Sequence, residues 1–145
     1  MKDPLLNELL RLELHAEDYA VFGSAPLFVA GLKESLRDVD VIARGTAWEQ
    51  IQDLARRGIL GGPQATPSGR GSMYWHREER IEFFDSWTTG YVDIDELIDD
   101  AETIDGIPFV RVGDVLRWKA MSGREKDRVD VATAERVISR TSHPS

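Results

Sequence analysis

The segment Phe22-Gly23-Ser24-Ala25-Pro26-Leu27, followed by Asp38-Val39-Asp40-Val41-Ile42, constrains the fold more than any other part of this chain. It reads as a strand ending in Gly-Ser, a short helix, and a second strand bearing two aspartates. Side chains alternate across a strand with period two, so Asp38 and Asp40 share one face while Val39 and Val41 share the other. Asp is a poor strand former, and like charges side by side on a pleated face repel each other. Thirteen residues separate Ser24 from Asp38, enough for one short helix and a return turn. The Gly-Ser corner and both aspartates therefore fall at one edge of one sheet.

A strand-to-helix junction presents free backbone N–H groups and a partial positive charge, a natural seat for phosphate oxygens. Gly23 would let backbone approach such a ligand closely, and Ser24 would add a donor. A divalent cation removes the repulsion between Asp38 and Asp40. Mg²⁺ held by one or two carboxylates plus substrate phosphates is the usual arrangement for phosphoryl transfer. The same residues also read as a plain turn with Ser24 capping a helix, and as an Asp-x-Asp on the wet face of an edge strand. In-line attack on phosphorus requires a further acid, and Ile81-Glu82-Phe83-Phe84-Asp85 offers two. Glu82 sits between apolar neighbours, a costly place for a carboxylate without a partner. Asp85, three residues on, points to the opposite face, so Glu82 is preferred.

Composition narrows the function classes. The 145 residues suit one domain, 1–145, with 41% hydrophobic and 30% charged residues. There is no cysteine, so disulfides and thiolate metal sites are excluded, and His15, His76 and His143 are too scattered for a zinc cage. No apolar run reaches the ~20 residues that span a bilayer, and acids appear too early for a secretory signal. A cytoplasmic location, with no membrane contact, is the expectation. A net charge of −8 argues against broad nucleic-acid binding but not against a small nucleotide met locally by a metal and a few cations. Eleven acids from Glu78 to Asp105 face Arg80 alone, mostly a solvated face.

Periodicity predicts helices over Pro4–Asp18, Ala25–Gly31, Thr46–Arg57 (Thr46 as cap, Gly58 as stop), Asp93–Ala101, Asp114–Met121 and Arg124–Arg140. Strands are expected at Tyr19–Phe22, Leu36–Ala43, Met73–His76 and Arg80–Trp87, the last two a hairpin across residues 77–79. Thr103–Val112 is expected to be extended, turning at Asp105-Gly106. Gly, Pro, Ser and Thr fill nine of the twelve positions from Gly61 to Ser72, which predicts a mobile loop, and the tail 141–145 is expected to fray. The class is α+β, with a small mixed sheet and helices mainly on one face.

Gly23-Ser24, the spacer, Asp38-Val39-Asp40-Val41 and Ile81-Glu82-Phe83 resemble the nucleotidyltransferase superfamily, the fold shared with DNA polymerase beta. Lys119, then Arg124-Glu125-Lys126-Asp127, then Asp130 is similar to the tail of small bacterial members, including the abortive-infection toxin type. The resemblance runs from about Val21 to Ile138. It implies a nucleotidyltransferase fold and transfer of a nucleoside monophosphate from a nucleoside triphosphate, ATP among the candidates, to an acceptor hydroxyl. It further implies that Asp38, Asp40 and Glu82 bind one or two Mg²⁺ ions, with Glu82 also the candidate base. Gly23 and Ser24 would hold triphosphate oxygens, Lys119 would contact the triphosphate, and Asp127 and Asp130 would orient the nucleotide. The third acid is Glu where many members carry Asp. Lys126–Asp130 (i,i+4) and Arg124–Asp127 (i,i+3) also read as ordinary exposed helix pairs. The acceptor could be a small molecule such as an antibiotic, a transfer RNA end or a protein side chain. The alternative is a catalytically weak member of the same fold, acting as the protein partner or antitoxin of another protein.

Overall fold

Both faces of the central strands are apolar, and this decides the architecture. The computed structural model describes residues 3–66, 69–76, 78, 80–87 and 92–142. Among them six helices flank one seven-stranded mixed sheet: α1 (Pro4–Arg11), β1 (Tyr19–Phe22), α2 (Ala25–Val29), β2 (Val39–Ala43), α3 (Gly45–Arg56), β3 (Gly61–Ala65), β4 (Ser72–His76), β5 (Ile81–Phe84), α4 (Ile94–Asp99), β6 (Glu102–Ile104), β7 (Ile107–Phe109), α5 (Val112–Ser122) and α6 (Glu125–Ser142). The strand order is β3-β4-β5-β2-β1-β7-β6. β2 runs antiparallel to β1 and parallel to β5, and β1 runs parallel to β7.

The four residues of β1 are all buried, so each face of the sheet needs a cover. One face packs Val21, Val39, Val41, Ile81 and Phe83 under Leu5, Leu6 and Leu9 of α1 and Ala47 and Ile51 of α3. The other packs Ala20, Phe22, Ile42 and Phe84 under Leu27, Ile98, Val115, Trp118 and Ala134 of α2, α4, α5 and α6. The expectation of helices mainly on one face is therefore corrected. A sheet apolar on both sides cannot leave one to water.

Local chemistry explains where elements begin and end. Asp3 caps α1, accepting from the N–H groups of Leu5 and Leu6, and Pro4 starts the helix. The helix stops at Arg11 rather than Asp18, because Glu13 adopts φ 54° and the chain turns into β1. Gln50 holds that turn, accepting from His15 N and donating to the Glu13 carbonyl. The predicted Thr46 cap is replaced by Asp18, whose Oδ2 accepts from Thr46 N at 3.0 Å. Gly58, with φ 78°, stops α3 as expected.

The segment Gly61–Ser72 is a second correction. Gly61–Ala65 forms an edge strand antiparallel to β4. Proline is tolerated in an edge strand because it has no N–H to leave unpaired. A Cβ at Gly61 would lie 2.4 Å from Trp75 Cε2, so the glycine that suggested a loop instead lets the strand pack on an indole. Residues 67 and 68 lie outside the described residues, as do 77 and 79 of the expected hairpin turn and 143–145 of the tail; residues 141 and 142 continue α6. The β6–β7 hairpin turns at Asp105-Gly106, both with positive φ. No helix among the described residues is long and apolar enough to cross a membrane.

Candidate functional site

β1 ends beside the start of β2, with Phe22 opposite Asp40, and Asp40 in turn lies opposite Glu82 in parallel register. In-register neighbours share a face, so Asp40 and Glu82 both project to the side covered by α2, α5 and α6. Gly23 follows Phe22 at φ 67°, and a Cβ there would sit 2.5 Å from Asp40 Oδ2. Glycine is needed at this position twice over, for its backbone angle and for room beside the carboxylate. Asp38 precedes β2 rather than lying within it, and it is exposed.

These acids strain one another electrostatically. Burial, then the charge of Glu82, then that of Asp38, push the Asp40 carboxyl from its ordinary 3.8 up to about 7, against weaker opposition from Lys126 and Lys119. The donor chemistry suits Mg²⁺: hard carboxylate oxygens carrying excess negative charge that a cation would relieve. Among the described residues, however, no group of three or more His, Asp or Glu side chains is arranged to hold a metal ion. The structure brings Asp40 and Glu82 together and leaves Asp38 at the rim.

The second half of the site is a buried ionic network. Lys119, 2% exposed, donates to Ser24 Oγ (3.0 Å), Asp127 Oδ1 (2.9 Å) and Asp130 Oδ2 (3.0 Å). Its three N–H bonds are all committed. Asp127, fully buried, also accepts from Ser122 Oγ (2.6 Å) and Arg124 Nε (2.7 Å). Asp130 accepts from Lys33 and from the Ser24 hydroxyl. Burial raises the pKa of both aspartates, but these hydrogen bonds and lysine charges outweigh it and hold them below the usual carboxylate value. Ser24 occupies the N-cap position of α2, yet its side chain makes no capping bond, because its hydroxyl serves this network instead.

The simple reading of α6 as an exposed helix is corrected here. Asp127 is buried, so Arg124–Asp127 is no surface pair, and Asp130 pairs with Lys33 and Lys119 rather than Lys126. Lys33 and Ser122 were not legible as site residues. Lys33 reaches a partner 97 positions away, which no local pattern announces. Behind the corner lies an aromatic wall in which Phe22 meets Trp87 at 4.7 Å and Trp118 at 5.4 Å between ring centroids. A cleft of about 350 Å³ opens in front of Phe22 and Trp118, bordered by Val92, Leu97 and Glu96.

The site thus joins a strained carboxylate pair, a glycine-serine corner and a neutralised lysine-aspartate network. No protein-family model matches the chain, and no curated protein is significantly similar to it.

Proposed function

We propose that this protein is a nucleotidyltransferase that moves a nucleoside monophosphate from a nucleoside triphosphate to an acceptor hydroxyl, releasing pyrophosphate. The observation that carries the reading is Asp40: a half-buried carboxylate crowded by Glu82 and Asp38, lifted to about 7, and packed where only glycine fits beside it. A fold keeps such a penalty most readily where function needs the charge. Asp38, Asp40 and Glu82 are the residues that would hold Mg²⁺, which when bound neutralises phosphate charge and lowers the pKa of a coordinated hydroxyl.

The chain's own groups supply the rest. Gly23 allows phosphate oxygens to approach the backbone, and Ser24, held by Lys119 and Asp130, is preset rather than free to rotate. The acceptor oxygen attacks the α-phosphorus as the bond to pyrophosphate breaks, and Glu82 takes the hydroxyl proton. The apolar cleft at Phe22 and Trp118 takes the bulk of the substrate. Incubation with α-labelled triphosphates, Mg²⁺ and cell extract should move label onto an acceptor, and Asp38→Ala should abolish the transfer. Transfer that survives Asp38→Ala would refute the assignment.

The second reading, a catalytically weak binding module that partners another protein, is favoured by one finding. Among the described residues the acids form no ready three-ligand metal group. Calorimetry separates the two readings. Metal-dependent triphosphate binding supports the enzyme; its absence beside a stable co-purifying protein supports the module.

A further inference from the structure

We propose that Lys126, and not Lys119, is the lysine that meets the phosphate end of a bound nucleoside triphosphate, while Lys119 is a positioning residue that fixes the corner receiving it. This rests on the nucleotidyl-transfer reading above. Lys119 is walled in: all three of its N–H bonds are accepted by Ser24, Asp127 and Asp130, and it is 2% exposed. Turning to a phosphate would strip a fully buried Asp127 of its ammonium partner, a costly exchange inside a protein.

Lys126 stands in the opposite situation. It is exposed in the first turn of α6, four residues before Asp130, and residues spaced four apart share a helix face. Asp130 contacts Ser24 Oγ at 3.2 Å, so this face of α6 is the one turned to the glycine-serine corner. Asp130 is already held by Lys33 and Lys119, and Lys126 forms no hydrogen bond or ion pair among the described residues. Its charge, like that of Lys119, acts on the Asp40 carboxylate, which places it at this end of the site. A long, flexible ammonium beside the carboxylates and the corner is placed to meet phosphate charge between them.

The test is calorimetric titration of magnesium tripolyphosphate, an inorganic triphosphate that removes any base preference, into the full chain. Wild type should bind. Lys126→Ala should weaken binding about tenfold or more, the loss of one charge-assisted contact. Its melting temperature should stay put, its salt dependence should become shallower, and Lys126→Arg should restore most of the affinity. Lys119→Met should melt earlier and, where folded, lose less affinity than Lys126→Ala. If Lys126→Ala binds within about twofold of wild type, the inference is overturned whether or not Lys119→Met folds. If wild type itself binds neither tripolyphosphate nor a non-hydrolysable triphosphate with Mg²⁺, nucleotidyl transfer fails at its root and takes this inference with it.

Discussion

Two pairs of acids lie within reach of the Gly23-Ser24 corner and are treated in opposite ways. Asp127 and Asp130 are enclosed by Lys33, Lys119, Arg124, Ser24 and Ser122, and their carboxyls are held below the usual value. Asp40 and Glu82 stand side by side on neighbouring strands, and burial and like charge drive Asp40 up to about 7 against weaker opposition from Lys126 and Lys119. Burial acts in the same direction on all three aspartates, so the difference lies in the partners. The compensated pair is architecture, tying α6 and α5 to the start of α2. The crowding at Asp40 is a cost the fold carries, and a cation-binding role gives that cost a purpose.

The largest effect should come from breaking the compensated pair. Lys119→Met leaves Asp127 buried without its ammonium partner, and loss of one member of a buried pair costs about 3–5 kcal/mol. Urea denaturation should show this as a fall in midpoint with an unchanged slope. A loss under about 1 kcal/mol would mean that the network is a surface pair after all and that the contrast drawn above is false.

Next in size is relief of the crowding at Asp40. Asp40 binds its proton more tightly folded than unfolded, so its contribution is favourable at acid pH and lost as pH rises from about 4 through about 7. Asp40→Asn should therefore stabilise the protein by about 2 kcal/mol at pH 8, with the difference closing below about pH 4; that figure is discounted for partial exposure. Asp127 and Asp130 carry the opposite sign. Their contribution is present above the ordinary carboxylate range and disappears as pH falls through their depressed values. Melting curves across pH should then show an acid limb in both proteins, and a decline toward neutral pH in wild type alone.

The contrast also separates what could be read from the chain and what could not. Turns and stops were legible because their chemistry is local: Asp105-Gly106 turns a hairpin and Gly123, at φ 75°, ends α5. Glu82 was assigned to a strand face by its apolar neighbours, and it does lie opposite Asp40. The β3 strand was hidden because its glycines signal turns, while Gly61 admits Trp75 and Gly62 lies tight against Met73 and Tyr74. Asp127 looked like half of a helix-surface pair because spacing alone does not report burial. Lys33 and Ser122 join the network through the tertiary fold, and only the assembled packing reveals them.

A smaller effect joins the two regions through backbone. Gly23→Ala would place Cβ 2.5 Å from Asp40 Oδ2 at φ 67°, a left-handed angle that costs an alanine about 1–2 kcal/mol. The clash must be relieved by moving the carboxylate, so the variant should lose transfer activity out of proportion to its loss of stability. Activity that falls only in step with the folded fraction would mean that Gly23 serves the turn and not the site.

The smallest expected effect is the most discriminating. A ligand that binds only the folded state stabilises it by RT ln(1 + [L]/Kd), so Mg²⁺ at about five times its Kd adds about 1 kcal/mol, roughly 2–4 °C for a domain of this size. The gain should appear in wild type at neutral pH, where the ion relieves the crowding around Asp40, and should vanish in Asp40→Asn. It should persist in Asp130→Asn, because that carboxylate is already matched by Lys33 and Lys119. Ca²⁺, larger and content with looser coordination, is the useful control, since a general screening of acidic surface would stabilise all three proteins equally with either ion. An Mg²⁺ response that Asp40→Asn retains would remove the distinction between the two acid pairs and leave the carboxylates of β2 and β5 without a task.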